Sequence, residues 1–431
     1  MNKSLFVLLV AVIIIAAIPY GTVEPWWKAA FVCAVFGVCI IAIIEFVISG
    51  DTHIAGKQVL LPMLALSAFA FLQTLSLGGH EVWNAISADP YQTRFFVLQL
   101  LALTVCLGLL YRYASTEKRM RVIVFTILGI AVASAVFGIL RQTTQQETGF
   151  VLPLLRQNQG YAQFVNKNHF AYLMEMAFGL GLGLLLSGAV KKDRVLIYVA
   201  LLFPIWTGLV LANSRGGILA MLAQVVVAAL ILLNSSELPR FARSFALKAA
   251  LIVALVAGVL VGTIWVGGDR LASNFEASTR EFSPETTTTQ GASRNEIWRA
   301  SLKMFAANPI LGVGFGGYWI GITAYHNASG LMTPQEAHND YLEILSSGGV
   351  IGFAIAFWFA VVVIRLTSQN LAIDTGYRRA VRLGAVIGIA GVAAHSLVDF
   401  GLHLISNAVV FITLIMLATG KIENQSETRS R

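Results

Sequence analysis

Arg215 stands in Asn213-Ser214-Arg215-Gly216-Gly217, a short polar break between two apolar runs. A guanidinium near the edge of a hydrocarbon layer faces an internal cavity or a partner rather than lipid, and the start of the next helix adds a partial positive field, so the chemistry indicated is anion binding. The competing reading is a snorkelling arginine that sets the depth of the helix end; the two glycines, which permit close backbone approach, favour the ligand. Arg294 follows Ser293 at the opening of a second helix, where its charge and the free N–H groups of the first turn can converge on one anion. Arg270, in Gly268-Asp269-Arg270-Leu271, is a weaker third candidate. For both, the alternative is an arginine on a solvated loop.

His338, in Ala337-His338-Asn339-Asp340-Tyr341-Leu342-Glu343, is the candidate base, since histidine is the side chain whose ordinary pKa, about 6.5, suits proton abstraction near neutral pH. A lone histidine can equally be a surface or capping group. Asn339 and Tyr341 beside it, and Asn166, Asn168 and His169 in Phe164-Val165-Asn166-Lys167-Asn168-His169, are candidate contacts for a glycan or its acceptor. The two asparagines suit sugar hydroxyls and helix capping equally well. His395 and Asp399 are four residues apart on one helical face, where an imidazole and a buried carboxylate can satisfy each other in a structural or supporting role.

There is no P-loop, no Gly-x-Gly-x-x-Gly after a strand, and no Asp-x-Asp pair outside the membrane to hold a divalent ion. No metal and no cofactor is expected. A diphosphate here would be met by arginines, whose guanidinium forks match phosphate oxygens and stay charged at all relevant pH.

The elements that must hold these residues are membrane helices. Of 431 residues 57% are hydrophobic and 12% charged, and the mean hydropathy is +0.75, whereas a soluble chain carries about 25% charged residues. Much of the net charge of +8 sits in short loops, so nucleic acid is a poor partner and the lipid bilayer the obvious one. The three cysteines offer no disulfide framework or zinc spacing.

Spans of about 20 apolar residues are expected near 5–20, 27–49, 59–77, 94–113, 121–140, 169–189, 195–213, 216–234, 247–267, 348–366, 381–398 and 402–419. The first reads as a retained span rather than a cleaved signal. The expectation is an all-α membrane protein of about 12 transmembrane helices forming one polytopic domain, 1–431.

Cations collect in alternate short loops: Arg112, Lys118, Arg119 and Arg121; Lys191, Lys192 and Arg194; Arg240, Arg243 and Lys248; Arg365, Arg378, Arg379 and Arg382. By the positive-inside rule those loops and both termini are cytoplasmic. Three longer segments then lie outside, the largest being 268–347, between the ninth and tenth spans. Within it Ser293-Arg294-Asn295-Glu296 is a capping box opening a helix that stops before Asn308-Pro309, and Thr333-Pro334-Gln335-Glu336 reads as the start of a second helix that ends at Ser346-Ser347-Gly348-Gly349.

In order, Phe164-Val165-Asn166-Lys167-Asn168-His169-Phe170-Ala171, Asn213-Ser214-Arg215-Gly216-Gly217, Arg294-Asn295-Glu296-Ile297-Trp298, Asn308-Pro309-Ile310-Leu311-Gly312-Val313-Gly314, Ala337-His338-Asn339-Asp340-Tyr341-Leu342 and His395-Ser396-Leu397-Val398-Asp399-Phe400 resemble the bacterial O-antigen ligase/polymerase family. The resemblance spans 164–400. It implies a GT-C-like polytopic glycosyltransferase of the bacterial inner membrane with a periplasmic active site. Such an enzyme passes a glycan from undecaprenyl diphosphate to a hydroxyl of lipid A-core, a growing polysaccharide or a protein, with inversion. It also implies His338 as the catalytic histidine and Arg215, Arg294 and, by approximate spacing only, Arg270 as diphosphate ligands.

Within the family a ligase-like activity is preferred, with an O-antigen or exopolysaccharide polymerase and a protein O-oligosaccharyltransferase as rivals. From another class the rival is a transporter or flippase for an anionic lipid or sugar phosphate. That would place ionisable groups near the bilayer midplane in two related halves, whereas here they collect at one end of the spans.

Overall fold

The computed structural model describes residues 2–50, 53–76, 85–144, 155, 160–187, 189–233, 257, 261, 294–326 and 333–421. The chain is all-helical, as lipid demands of a backbone that cannot hydrogen-bond to water, and no strand occurs among the described residues. The apolar runs form α1 (Asn2–Ala17), α2 (Pro25–Ser49), α3 (Lys57–Leu72), α4 (Pro90–Tyr113), α5 (Glu117–Thr144), α6 (Lys167–Leu186), α7 (Val195–Leu211) and α8 (Arg215–Leu233). After the large loop's α9 (Arg294–Ala307) and a single turn, α10 (Tyr318–Gly321), come α11 (Asp340–Ile373), α12 (Gly376–His395) and α13 (Ile405–Thr419). A helix stands at every expected span except the ninth, which apart from residues 257 and 261 lies outside the described residues. Among those described, five helices are long and apolar enough to cross a membrane, and five shorter ones are apolar.

The closest packing joins α6 to α12 through paired glycines. A Cβ added to Gly179 would lie 2.4 Å from the Gly388 nitrogen, and one on Gly183 would lie 2.1 Å from that of Gly384. Gly179 and Gly183, like Gly384 and Gly388, are four apart, so each pair falls on one helix face and the backbones touch. This contact brings the start of α6 beside the end of α12.

Among the described residues, the cations from Arg112 to Arg121 and those at the start of α12 gather at one pole. Arg112 pairs with Glu45 at 3.4 Å, Arg119 covers the Phe6 ring and Arg121 the Tyr377 ring. Arg382, expected in a loop, is instead buried within α12. It donates to the carbonyls of Ala418 and Gly420, each at 2.7 Å, and to Asp374 at 2.5 Å. The end of α13 leaves carbonyls without helical partners, and a fork of donors satisfies them inside the protein.

At the opposite pole α9 ends at Ala307, before Asn308-Pro309. The glycine run after it takes left-handed turns at Gly312, Gly314 and Gly316. These let the loop lie against Ser347 and Ser87, where side chains would collide. Gln73, at the end of α3, donates to the carbonyls of Leu311 and Ser347 and accepts from the Phe315 N–H. The helix expected to end at 346–349 continues as α11 through a kink at Gly349 (φ 60°, ψ −164°).

Candidate active site

His338 was expected inside a helix opened by Thr333-Pro334, but residues 333–339 are not helical and α11 begins at Asp340. Asn339 is its N-cap, accepting from the Leu342 N–H at 3.0 Å. His338 takes a left-handed conformation, φ 50°, which costs a residue with a Cβ about 1–2 kcal/mol. It persists because its neighbours are fixed on every side. The Ala337 N–H donates to the Glu343 carboxylate at 2.9 Å, and the Ala337 carbonyl accepts from the Trp298 indole at 3.0 Å. The Asp340 N–H donates to the Ser396 carbonyl at 2.9 Å, and Ser396 Oγ donates to Asp340 at 2.6 Å.

These pins turn the imidazole so that Nδ1 lies 3.6 Å from Asp399 Oδ1, with His338 one third exposed and Asp399 buried. The separation exceeds hydrogen-bond length by about half an ångström. Asp399 is fixed in turn. It accepts from the Asn168 side-chain amide and from the Phe400 N–H at 3.0 Å. Burial by itself would raise its carboxyl, but the facing His338 imidazole, then His395 and His169, outweigh it and hold the group well below the usual carboxylate range. A carboxylate facing Nδ1 favours the tautomer with the proton there, which leaves Nε2 as a bare acceptor.

The Phe400 ring is met edge-on by three imidazoles, at 4.8 Å from His338, 5.1 Å from His169 and 5.7 Å from His403. His403 Nε2 in turn faces Asp340 at 3.6 Å and Glu343 at 3.5 Å.

His395 and Asp399 do not pair with each other through their side chains. The Asp399 N–H donates to the His395 carbonyl, while the His395 imidazole turns to Glu175, 2.9 Å away, both fully buried. Asn166 caps α6 by accepting from the Asn168 N–H at 2.9 Å. His169 is buried, its carbonyl accepting from Asn407. Tyr341 donates to the Ala393 carbonyl at 2.8 Å, tying α11 to the end of α12.

Arg215 is the first residue of α8, with Ser214 Oγ accepting from the Gly217 N–H at 3.1 Å. A Cβ on Gly216 would lie 2.3 Å from His395 Nε2 and 3.2 Å from a Val398 methyl, so the Arg215 turn rests on the segment that ends in Asp399. Arg294 opens α9 one turn before Trp298 and on the same face, the face that reaches Ala337. The starts of α6, α8 and α11 thus meet the end of α12 and the Asp399 segment that follows it, and α9 reaches the residue before His338 through Trp298. Arg270 lies outside the described residues, as does Ser293. Among the described residues no three histidine, cysteine or acidic side chains converge as metal ligands.

Glu343, Trp298 and Glu175 escaped the sequence reading as site residues. Glu175 carried a usable signal, an acid alone in the apolar run of α6, where ionisable groups mark function. Glu343 and Trp298 act through backbone contacts that no spacing announces.

The O-antigen ligase family model matches residues 197–357, from α7 into α11, a segment that holds Arg215, Arg294 and His338 and stops short of His395 and Asp399. No curated protein matches the chain. The match, over somewhat more than a third of the chain, supports a membrane enzyme of the O-antigen ligase/polymerase kind: in this segment the chain is similar to the O-antigen ligase family.

Proposed function

We propose that the chain transfers a glycan from undecaprenyl diphosphate to an acceptor hydroxyl, on the side of the membrane opposite its cation-rich loops, with inversion and without a metal. The observation that carries this reading is the Asp399 carboxylate facing Nδ1 of His338. His338 Nε2 takes the acceptor proton as the oxygen attacks the anomeric carbon. The bond from that carbon to the diphosphate oxygen breaks, and undecaprenyl diphosphate leaves with its charge held by Arg215 and Arg294 and the helix starts that bear them. Arg270 is a third ligand in this proposal.

Stabilising the leaving group is the larger contribution, because the donor is already activated and a general base supplies only about 10²–10⁴-fold. The preferred acceptor is lipid A-core, in keeping with the O-antigen ligase match; a growing polysaccharide or a protein hydroxyl would use the same chemistry. The orientation proposed is that of a bacterial inner-membrane protein with a periplasmic site and cytoplasmic termini.

The test is release of undecaprenyl diphosphate from a purified undecaprenyl-diphosphate glycan in detergent, with lipid A-core, polysaccharide and protein acceptors offered in turn. Acceptor-dependent release supports the reading, and its absence with all three contradicts it.

A further inference from the structure

Glu175 and His395 sit wholly inside the protein, between α6 and α12, joined at 2.9 Å with no exposure of either side chain. A buried carboxylate and imidazole are costly to bring out of water and do little for stability compared with apolar groups of the same shape. Their placement points to a task. The His395 ring stacks on Tyr172 at 4.0 Å between centroids, inclined by 17°, so one face of the imidazole is fixed and Glu175 fixes its Nδ1 edge. The remaining edge, Nε2, is buried with no hydrogen-bond partner among the described residues and abuts the first turn of α8, where only a glycine fits: a Cβ on Gly216 would meet Nε2 at 2.3 Å and Cδ2 at 2.4 Å. Gln224, two turns further along α8, donates to the Glu175 carbonyl at 2.6 Å. The same stretch of α6 therefore holds α8 at two levels.

We infer that Glu175 and His395 are positioning residues that seat the first turn of α8, and with it Arg215, against the diphosphate of the lipid donor. This rests on the proposed role of Arg215. Neither side chain touches the substrate. The imidazole is a rigid floor whose height and tilt set where the guanidinium emerges, and the carboxylate keeps the ring from turning. A glutamine at 175 retains an acceptor for Nδ1–H and keeps the floor in place, whereas alanine releases it.

The experiment measures binding of undecaprenyl diphosphate to the purified full chain in detergent, alongside its melting temperature. Arg215→Ala is the control for the parent reading: unchanged affinity in that variant defeats the diphosphate role itself. With that control weakened, Gly216→Ala and Glu175→Ala are each expected to bind about tenfold or more weakly, and Glu175→Gln to stay within about threefold of native. His395→Ala, which removes the floor itself, is expected to bind about tenfold or more weakly as well. Native affinity in Gly216→Ala or in His395→Ala overturns the inference. So does a loss of melting temperature in Glu175→Ala with native affinity in the folded fraction, which would mark the pair as packing only.

Discussion

The carboxylate of Asp399 lies 3.6 Å from Nδ1 of His338, although the whole of α11 and α12 separates them along the chain. This relationship makes the imidazole a directed base in the proposed reaction, with Nδ1 facing the carboxylate and Nε2 presented to the acceptor. Asp399→Asn keeps the shape but offers an amide in place of a carboxylate, so the tautomer is no longer enforced. Transfer should slow by about 10–100-fold, part of the 10²–10⁴-fold that a general base supplies, while affinity for undecaprenyl diphosphate stays native. Steady-state rates and donor binding on the same preparations check this.

The depressed carboxyl of Asp399 also fixes the sign of an acid effect. A group whose folded pKa is lowered contributes stability that is present above its unfolded value, about 3.9, and is lost as pH falls through the folded one. From pH 5 to 9 the melting temperature should show no contribution from this group's titration. Below about pH 4 the native protein should lose stability more steeply than Asp399→Asn, as thermal melts in detergent at stepped pH would record.

Trp298 and Glu343 hold the two sides of Ala337. Removing the indole donor by Trp298→Phe leaves a carbonyl short of its partner, worth about 1–3 kcal/mol, and frees His338 from its left-handed backbone. Turnover should fall about tenfold or more with donor affinity kept, and Glu343→Ala should behave alike. Parallel losses of turnover and donor affinity would place these residues in donor binding instead.

The left-handed conformation of His338 predicts a trade between stability and activity. Glycine adopts φ near 50° without the steric cost, so His338→Gly should melt at or above the native temperature while transfer falls by about 10²-fold or more. A clear loss of melting temperature would show the imidazole to be a packing group.

The glycine contact between α6 and α12 predicts that Gly183→Leu or Gly388→Leu separates α6, which carries Asn168, from α12, whose end leads into Asp399. Overpacking of this kind costs about 1–3 kcal/mol, and here it should also reduce transfer more than an equally destabilising change at the cation-rich pole. Melting temperatures and rates for both classes of variant decide it.

The helices were legible because lipid leaves the backbone only one economical way to satisfy its donors, and long apolar runs announce it. The residues of the site were legible by type, since arginines at membrane boundaries and a histidine beside them are costly without a purpose. Their pairing was not. Spacing of four suggested that His395 and Asp399 satisfy each other, yet the helix ends at His395 and the chain turns, sending Asp399 to His338 and Asn168 while His395 meets Glu175. The start of α11 was misplaced for a related reason. Thr333-Pro334 has the local chemistry of a helix start, but bonds from Trp298, Glu343 and Ser396 keep the segment out of helix as far as Asn339. Contacts between distant segments outweighed a local preference that spacing alone expresses. Arg382 likewise carried the charge of a loop residue and became the cap of α13, which only the folded position of that helix reveals.

The most direct measurement is the single-turnover rate at which undecaprenyl diphosphate is released from its glycan on addition of acceptor, for the native chain, His338→Ala and Asp399→Asn, each shown to bind the donor. The account predicts native binding in all three, release slowed by about 10²–10⁴-fold in His338→Ala and by a smaller factor in Asp399→Asn. Release from His338→Ala at the native rate would contradict it.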